Sequence, residues 1–170
     1  MTNTIRRQLT LFIEDKDAGN IEKVRQKFNI RQSELIKSHV TLCRDDEIEN
    51  LEQVLTNLAT LQLKGISICF GQVIRFADGK GVLIPAKGEN KEFQNLRKLI
   101  LQGLNGNPGQ HEPHVTVMHP RNSTCTDIIF EQIAKVNLPT SLDFKKISLI
   151  EQEEGRKWEI RKEFDFVKAI

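Results

Sequence analysis

Short apolar runs alternate along the chain with stretches in which apolar residues recur every three to four positions. The runs predict strands at residues 8–13, 39–42, 66–70, 73–76, 81–85 and 114–117, and a C-terminal hairpin of residues 144–152 and 158–166. The recurring stripes predict helices at residues 17–29, 45–61 and 89–104, and a short one capped by Ser123, Thr124 or Thr126. Residues 31–38 are predicted as a polar connection, and Asp78-Gly79 predicts a hairpin turn. This mixture of helices, strands and hairpins predicts an α+β fold with a largely antiparallel sheet.

Two of the predicted strands carry the same four-residue pattern. His39-Val40-Thr41-Leu42 recurs as His114-Val115-Thr116-Val117, with similar elements around each copy. Residues i and i+2 of a strand point to the same side, so each copy places a histidine and a threonine on one face. A single strand histidine is usually structural, but two matching copies use two of only four histidines. The pattern therefore indicates a functional site and a coarse internal duplication, and residues 1–170 fit one domain, or one domain of two intimate halves.

Length, net charge and apolar content limit which kinds of function are expected. The chain has 170 residues, enough for a real core, and its net charge of +2 gives no support to a strong sequence-independent grip on long nucleic acid. A small or end-bound anionic substrate fits this charge. There is no membrane-length apolar run and no signal-peptide core, so no membrane association is expected.

The cysteines indicate a reducing compartment. Cys43, Cys69 and Cys125 are odd in number, widely spaced and without a CxxC pair, which predicts reduced thiols in a cytoplasmic protein. Cys43 has the strand parity of His39 and Thr41, which raises the question of a nucleophile. A packing role at the strand end is the better interpretation, because nothing in its sequence neighbourhood lowers its pKa.

Two histidine–threonine pairs suit one kind of chemistry. Two imidazoles facing one site can act as general acid and general base near neutral pH. Two threonine hydroxyls can donate to the non-bridging oxygens of a phosphate and to the charge that builds there. The sequence has no GxSxG elbow, P-loop or GxGxxG. These features favour metal-independent phosphodiester chemistry without a cofactor, and they do not assign the acid and base roles.

A metallohydrolase is a weaker alternative. His111, His114 and His119 lie close together in sequence. However, Pro113 and Pro120 oppose a helix that would align them, residues 114 and 119 have opposite strand parity, and no Asp, Glu or His set at a recognised spacing completes a ligand set. His111 is therefore predicted to be a loop residue and His119 a strand-end residue. The loop-like stretch at residues 105–110, just before the second motif, either frames a substrate or is a plain connector.

The two HxTx pairs, their separation and the order of elements around them resemble the two-histidine (2H) phosphoesterase superfamily, in its 2′-5′ RNA ligase-like group. The resemblance covers essentially the whole chain. It implies a bilobed, pseudo-duplicated α+β fold, with mostly antiparallel sheets, helices packed outside and one motif strand from each lobe at a central cleft. It also implies that His39 and His114 are the catalytic pair and that Thr41 and Thr116 bind phosphate.

The implied activity is that of a phosphodiesterase on 2′,3′-cyclic phosphates or 2′-5′ bonds of RNA ends or nucleotides, and some relatives are linked to 2′-5′ RNA ligation. Arg44, Arg121 and Asn122, just past the motifs, are candidates for holding phosphate or ribose; the alternative is that they are solvated loop residues. A second hypothesis is a non-catalytic module that binds RNA ends or nucleotides in the same cleft. The sequence indicates no protein partner.

Overall fold

The computed structural model describes residues 2–104, 106 and 108–166. In this part of the chain the strands are β1 (Ile5–Phe12), β2 (His39–Cys43), β3 (Ile66–Cys69), β4 (Ile74–Arg75), β5 (Val82–Pro85), β6 (His114–Met118), β7 (Ser141–Phe144), β8 (Lys146–Glu153) and β9 (Glu159–Asp165). The helices are α1 (Asp15–Phe28), α2 (Ile30–Leu35), α3 (Leu51–Thr60), α4 (Lys91–Ile100) and α5 (Asp127–Ala134), with a single 3₁₀ turn at Asp45–Glu47. None of the helices described is long and apolar enough to cross a membrane.

The strands form a large antiparallel sheet and a small one. The large sheet has the order β4-β5-β6-β2-β1-β8-β9, and β3 pairs with β7 in the second. All these pairings are antiparallel, which confirms the predicted α+β class. The two motif strands, β2 and β6, are central neighbours although their residues are far apart in sequence. The fold therefore joins the two copies of the motif directly.

One face of the large sheet builds the core. Leu9 and Leu11 of β1 are fully buried with Val40 and Val115, and the apolar stripes of the helices pack in the same cluster. Each such side chain contributes roughly 1.5–3 kcal/mol on burial. The stripe residues in this core include Ile21, Val24, Val54, Leu58, Phe93, Leu96 and Ile100.

Several predicted element bounds were wrong for local reasons. The helix predicted from residue 45 begins at Leu51, because the side chain of Asn50 caps it by accepting a hydrogen bond from Gln53 N at 3.2 Å. The stretch that precedes β2 was predicted as a polar connection, but it contains α2. This helix buries none of its residues, so it has no apolar stripe to reveal it. The separate strand β7 was also missed.

The predicted hairpin at Asp78-Gly79 is confirmed. Gly79 has a φ of +74°, which is costly for a residue with a side chain, and Asp78 Oδ1 accepts a hydrogen bond from Lys80 N at 2.8 Å. The turn returns the chain from β4 to β5, with Ile74 opposite Leu83.

Gly81, just after this turn, is expected to tolerate no side chain. A Cβ there would lie 2.7 Å from Met118 O, from Phe76 Cδ2 and from Pro120 Cδ, and backbone and ring atoms cannot easily move away. We expect Gly81→Ala to lower the free energy of unfolding by about 1–3 kcal/mol, measured by urea denaturation. The matched control is Gly19→Ala in α1, where nothing lies within 4 Å. That change should stabilise by about 0.5–1 kcal/mol, and equal effects of the two variants would contradict this interpretation.

Candidate active site

The pairing of β2 with β6 brings the two motifs together. Val40 pairs with Val115, so the antiparallel register places the histidine of each motif across from the threonine of the other. Residues opposite each other in such a pair have Cβ atoms about 4.5–5.5 Å apart. The two valines are fully buried, whereas the residues on the other face are partly exposed. These four side chains, the His–Thr quartet, are His39, Thr41, His114 and Thr116.

Thr41 is the last residue of β2 whose side chain points to the same face as the quartet, because β2 is irregular after this position. Thr41 pairs with Thr10, but Cys43 pairs with Leu9, so β2 carries an extra residue here. The parity prediction that placed Cys43 on the histidine face was therefore wrong. Cys43 lies fully buried in the core, where burial raises the pKa of its thiol to about 12. Its packing role is confirmed, and it has no thiolate at neutral pH.

The second motif strand has the same irregularity at the same place. Thr116 pairs with Leu83, but Met118 pairs with Val82, so β6 also carries one extra residue after its threonine. Met118 turns into the core as Cys43 does. Bulges are frequent beside active sites, where they re-aim side chains. The structural duplication thus extends beyond the four-residue pattern to the backbone that follows it.

Both histidine rings are held in the same way. His39 Nδ1 lies 2.8 Å from Lys37 O, and His114 Nδ1 lies 3.0 Å from Glu112 O, in each case the carbonyl two residues earlier. A carbonyl only accepts hydrogen bonds, so Nδ1 must carry a proton in both rings. In a neutral ring the Nε2 lone pair is then free, and in a cationic ring Nε2–H is a donor. Each ring can therefore exchange a proton through Nε2.

An aromatic ring packs against each histidine. The Phe12 and His39 ring centroids are 6.0 Å apart at an interplanar angle of 65°, and those of Phe76 and His114 are 5.9 Å apart at 83°. Edge-to-face contacts of this kind are favourable and directional. Phe12 is paired with His39 across β1 and β2. These contacts restrict ring rotation, so both imidazoles are preorganised.

Burial lowers the pKa of His39 to about 4, although the bond to the Lys37 carbonyl and the charge of Glu22 favour its cation. The neighbouring Arg25 and His114 side chains lower the pKa further. Glu22 also accepts a hydrogen bond from Ser38 N at 2.6 Å, which fixes the backbone just before His39. His39 is consequently a neutral imidazole at physiological pH.

His111 is a neighbour of the quartet that the sequence interpretation treated as a plain loop residue. Its ring stacks on Phe93 at 6.4 Å and lies 6.0 Å from the ring of His114. Burial, together with the charges of Arg97 and His114, lowers its pKa to about 4. The Gln94 side chain holds its backbone by donating to His111 O at 2.8 Å. No local sequence pattern predicts that His111 lies beside the quartet, because its position depends on the packing of α4 against the segment before β6.

The residues predicted to flank the site have different surroundings. Arg44 is exposed and pairs with Asp46 at 3.5 Å, whereas Arg121 has an exposed side chain just past β6. Asn122 is hydrogen bonded to Asn29 and Gln32 and so supports the loop that it belongs to.

The three histidines that were considered as an alternative metal site do not form one with their neighbours in the described part of the chain. Across residues 2–104, 106 and 108–166, no group of three or more His, Cys, Asp or Glu side chains could hold a metal ion. His119 Nδ1 instead accepts a hydrogen bond from Arg121 N at 3.1 Å. Residues 105 and 107 of the predicted loop lie outside the described part of the chain.

Comparison with known protein families shows to which family the chain belongs. The sequence model of the 2′-5′ RNA ligase superfamily matches residues 13–156, which include both motifs. The chain belongs to this superfamily. The resemblance to the 2H phosphoesterases, inferred above from the two HxTx patterns, is thereby confirmed. No curated protein matches the chain.

Solved structures show that the superfamily fold covers the chain. Escherichia coli LigT in its apo form matches with a TM-score of 0.70 and 13% identity, covering 98% of this chain and 100% of LigT. LigT complexed with 3′-AMP matches with a TM-score of 0.68 and 13% identity over the same shares. TT0787 of Thermus thermophilus matches with a TM-score of 0.64 and 13% identity, covering 95% of this chain and 97% of TT0787.

Proposed function

We propose that this superfamily member is a phosphodiesterase that acts on 2′,3′-cyclic phosphates or 2′-5′ bonds of RNA ends or nucleotides, without a metal ion in the reaction. The observation that carries the proposal is the register at Val40 and Val115, which sets two histidine–threonine pairs side by side on one face of the sheet. Such an arrangement offers a base, an acid and two hydroxyl donors around one phosphate. The LigT complex with 3′-AMP supports a small nucleotide or RNA end as the ligand class.

In the proposed reaction His39 is the general base. Its low pKa keeps it neutral, and the bond from Nδ1 to the Lys37 carbonyl leaves Nε2 free to take a proton from water. The oxygen of that water forms a bond to phosphorus. His114 acts as the acid and donates its Nε2 proton to the leaving ribose oxygen as the phosphorus–oxygen bond of the ring breaks. Thr41 and Thr116 donate to the non-bridging oxygens.

The same arrangement accounts for ligation if a hydroxyl of a second RNA end replaces water. His39 would then remove the proton of that hydroxyl, the new phosphodiester bond would form, and His114 would again protonate the displaced ribose oxygen. Atoms and protons balance in both cases, because one bond to phosphorus forms and one breaks. Hydrolysis and ligation are thus two outcomes of one proposed site, and exclusion of water selects between them.

The proposal predicts an acid limb in the pH profile. Below about pH 4 His39 is protonated and cannot accept a proton, so kcat/KM should fall as the pH passes below that value. Glu22 raises the pKa of His39, so Glu22→Gln should move this limb to lower pH. Glutamine keeps an oxygen that can accept the hydrogen bond from Ser38 N. The variant therefore removes the charge of Glu22 and keeps its contact with the backbone before His39.

The measurement is kcat/KM for a 2′,3′-cyclic nucleotide against pH, with circular dichroism at each pH to show that the protein stays folded. The matched control is Asp17→Asn, which removes an acidic residue of α1 that is not among the groups shifting the pKa of His39. If the acid limb of the pH profile does not move in Glu22→Gln, His39 is not the general base.

A substrate panel tests the function itself. The protein is incubated with 2′,3′-cyclic nucleotides, 2′-5′-linked dinucleotides and RNA ends carrying a cyclic phosphate, with and without EDTA. The expected result is turnover of at least one class that EDTA does not reduce. Activity lost with EDTA and restored by a divalent ion would favour a metallohydrolase instead. Binding without turnover would favour the non-catalytic nucleotide or RNA-end binding module.

A further inference from the structure

Arg97 makes a contact that joins the two halves of the site. Its side chain is only 1% exposed, at the last turn of α4. One guanidinium nitrogen donates to Leu42 O at 2.6 Å, and the other donates to Gly109 O at 3.1 Å. Leu42 follows Thr41 in β2, whereas Gly109 lies in the segment that leads into β6. A single buried side chain thus holds the end of one motif strand and the approach to the other.

Glu47 makes this buried charge tolerable. Its two carboxylate oxygens accept from Arg97 at 3.0 and 2.6 Å, and one of them also accepts from Arg44 N at 2.8 Å. Burial opposes the ionisation of Glu47, but these hydrogen bonds outweigh burial and lower the pKa of its carboxyl. A buried guanidinium without such a partner would be strongly destabilising. The planar fork of arginine also fixes the directions of all these bonds, which a lysine ammonium would not.

Helix α1 makes the corresponding contacts at the opposite ends of the same strands. Arg25, fully buried, donates to Ile36 O at 2.8 Å, just before β2. Asn29, at the end of α1, accepts from His119 N at 2.8 Å, just after β6. One helix from each half of the chain therefore binds backbone groups beside both motif strands.

Such contacts matter because β2 and β6 are weakly paired to each other. Their described ladder consists of the pair Val40 and Val115, whereas the pairing of β1 with β8 runs continuously from Ile5 to Thr10. One pair of residues does not fix the angle between two strands. We propose that Arg97 is a positioning residue that sets the separation of the two histidine–threonine pairs across the sheet. This inference rests on the proposed function for its catalytic consequence, but not for its geometry.

The test compares Arg97→Ala and Arg97→Lys with the wild type, at a temperature well below the melting point of each variant. Misplacement of catalytic groups by about 1 Å costs on the order of 10²-fold in rate, so we expect kcat for a 2′,3′-cyclic nucleotide to fall by about that factor in both variants. KM should rise less, by about tenfold, because the two threonines still contact phosphate but no longer at their best separation. Arg161→Lys, an exposed arginine paired with Glu151 and Glu159, is the matched control and should keep wild-type kcat.

Chemical rescue separates positioning from general stabilisation. Arg97 lines a pocket together with Gln94, Lys98, Pro108, Gly109 and Gln110. Millimolar methylguanidinium should therefore restore part of the lost kcat in Arg97→Ala and none in a variant of His39. A lowered melting temperature with unchanged kcat would overturn the proposal. Should Arg97→Ala fail to fold, Glu47→Gln, which removes the charge that orients Arg97, takes its place with the same expected loss of kcat.

A second readout does not need turnover. Inorganic phosphate is titrated into ¹⁵N-histidine-labelled protein, and the imidazole signals are followed by NMR. In the wild type we expect both His39 and His114 to respond, and in Arg97→Ala we expect the affinity for phosphate to fall by about tenfold, because the two threonine hydroxyls no longer reach one anion at their best separation. If the wild type hydrolyses nothing but binds phosphate in this way, the proposed function fails and the positioning role stands. Unchanged phosphate affinity in Arg97→Ala would overturn the positioning role alone.

Discussion

Alanine at either His39 or His114 is expected to lower turnover of a 2′,3′-cyclic nucleotide by on the order of 10²–10⁴, the usual contribution of a positioned acid or base. The two rings are held alike, each with Nδ1 on the carbonyl two residues earlier and Nε2 free. Removing one ring leaves the other and both threonines in place. Each single variant should therefore bind phosphate while losing the chemical step.

The double variant decides whether the two rings form one unit. Groups that act together in one transition state give strongly non-additive losses, so His39→Ala/His114→Ala should be little slower than the slower single variant. His119→Ala is the control, because its ring is held by the Arg121 backbone outside the quartet. Full activity in the double variant, with the fold verified by circular dichroism, would exclude this site as the catalytic centre.

The second large effect is expected from the threonines. Thr41→Val and Thr116→Val keep the shape of the side chain and remove the hydroxyl that would donate to a phosphate oxygen. Loss of one such donor costs on the order of 10²–10³ in kcat when charge builds on the oxygen in the transition state. Steady-state kinetics of the two variants, with phosphate as a competitive inhibitor, give kcat and ground-state affinity separately.

Serine substitutions are the matched controls. Thr41→Ser and Thr116→Ser keep the hydroxyl and should retain most of the activity. Thr10→Val is a further control, because Thr10 pairs with Thr41 across the strands but is fully buried and accepts from Gln8 Nε2 at 3.0 Å. If valine and serine at position 41 behaved alike, the hydroxyl would have no role in binding phosphate.

Much of the site could be predicted from local sequence. The alternation in each motif strand separates the buried valines from the histidine and threonine, because strand side chains point to opposite faces in turn. The hairpin at Asp78-Gly79 and the helix cap at Thr126 were likewise local, since they depend on a few neighbouring residues.

Other features had no local signal. The extra residue after Thr41 moved Cys43 from the histidine face into the core. This bulge was not predicted, because it depends on how β2 pairs with β1 and not on the sequence of β2 alone. Helix α2 was missed because it buries no residue, so its pattern has no apolar stripe. No local pattern marks Arg97 or His111, and their contacts exist only because α4 packs beside β2 and beside the segment that leads into β6.

By itself, the sequence determined which residues of each motif share a face of their strand. In both motifs the histidine and threonine lie on one face and two aliphatic residues on the other, because side chains alternate along a strand. Only the tertiary structure decided that the histidine of one motif faces the threonine of the other. That arrangement follows from the pairing of Val40 with Val115, residues far apart in the chain. Packing of the common core and the buried contacts from α1 and α4 select this register, and no stretch of local sequence contains that information.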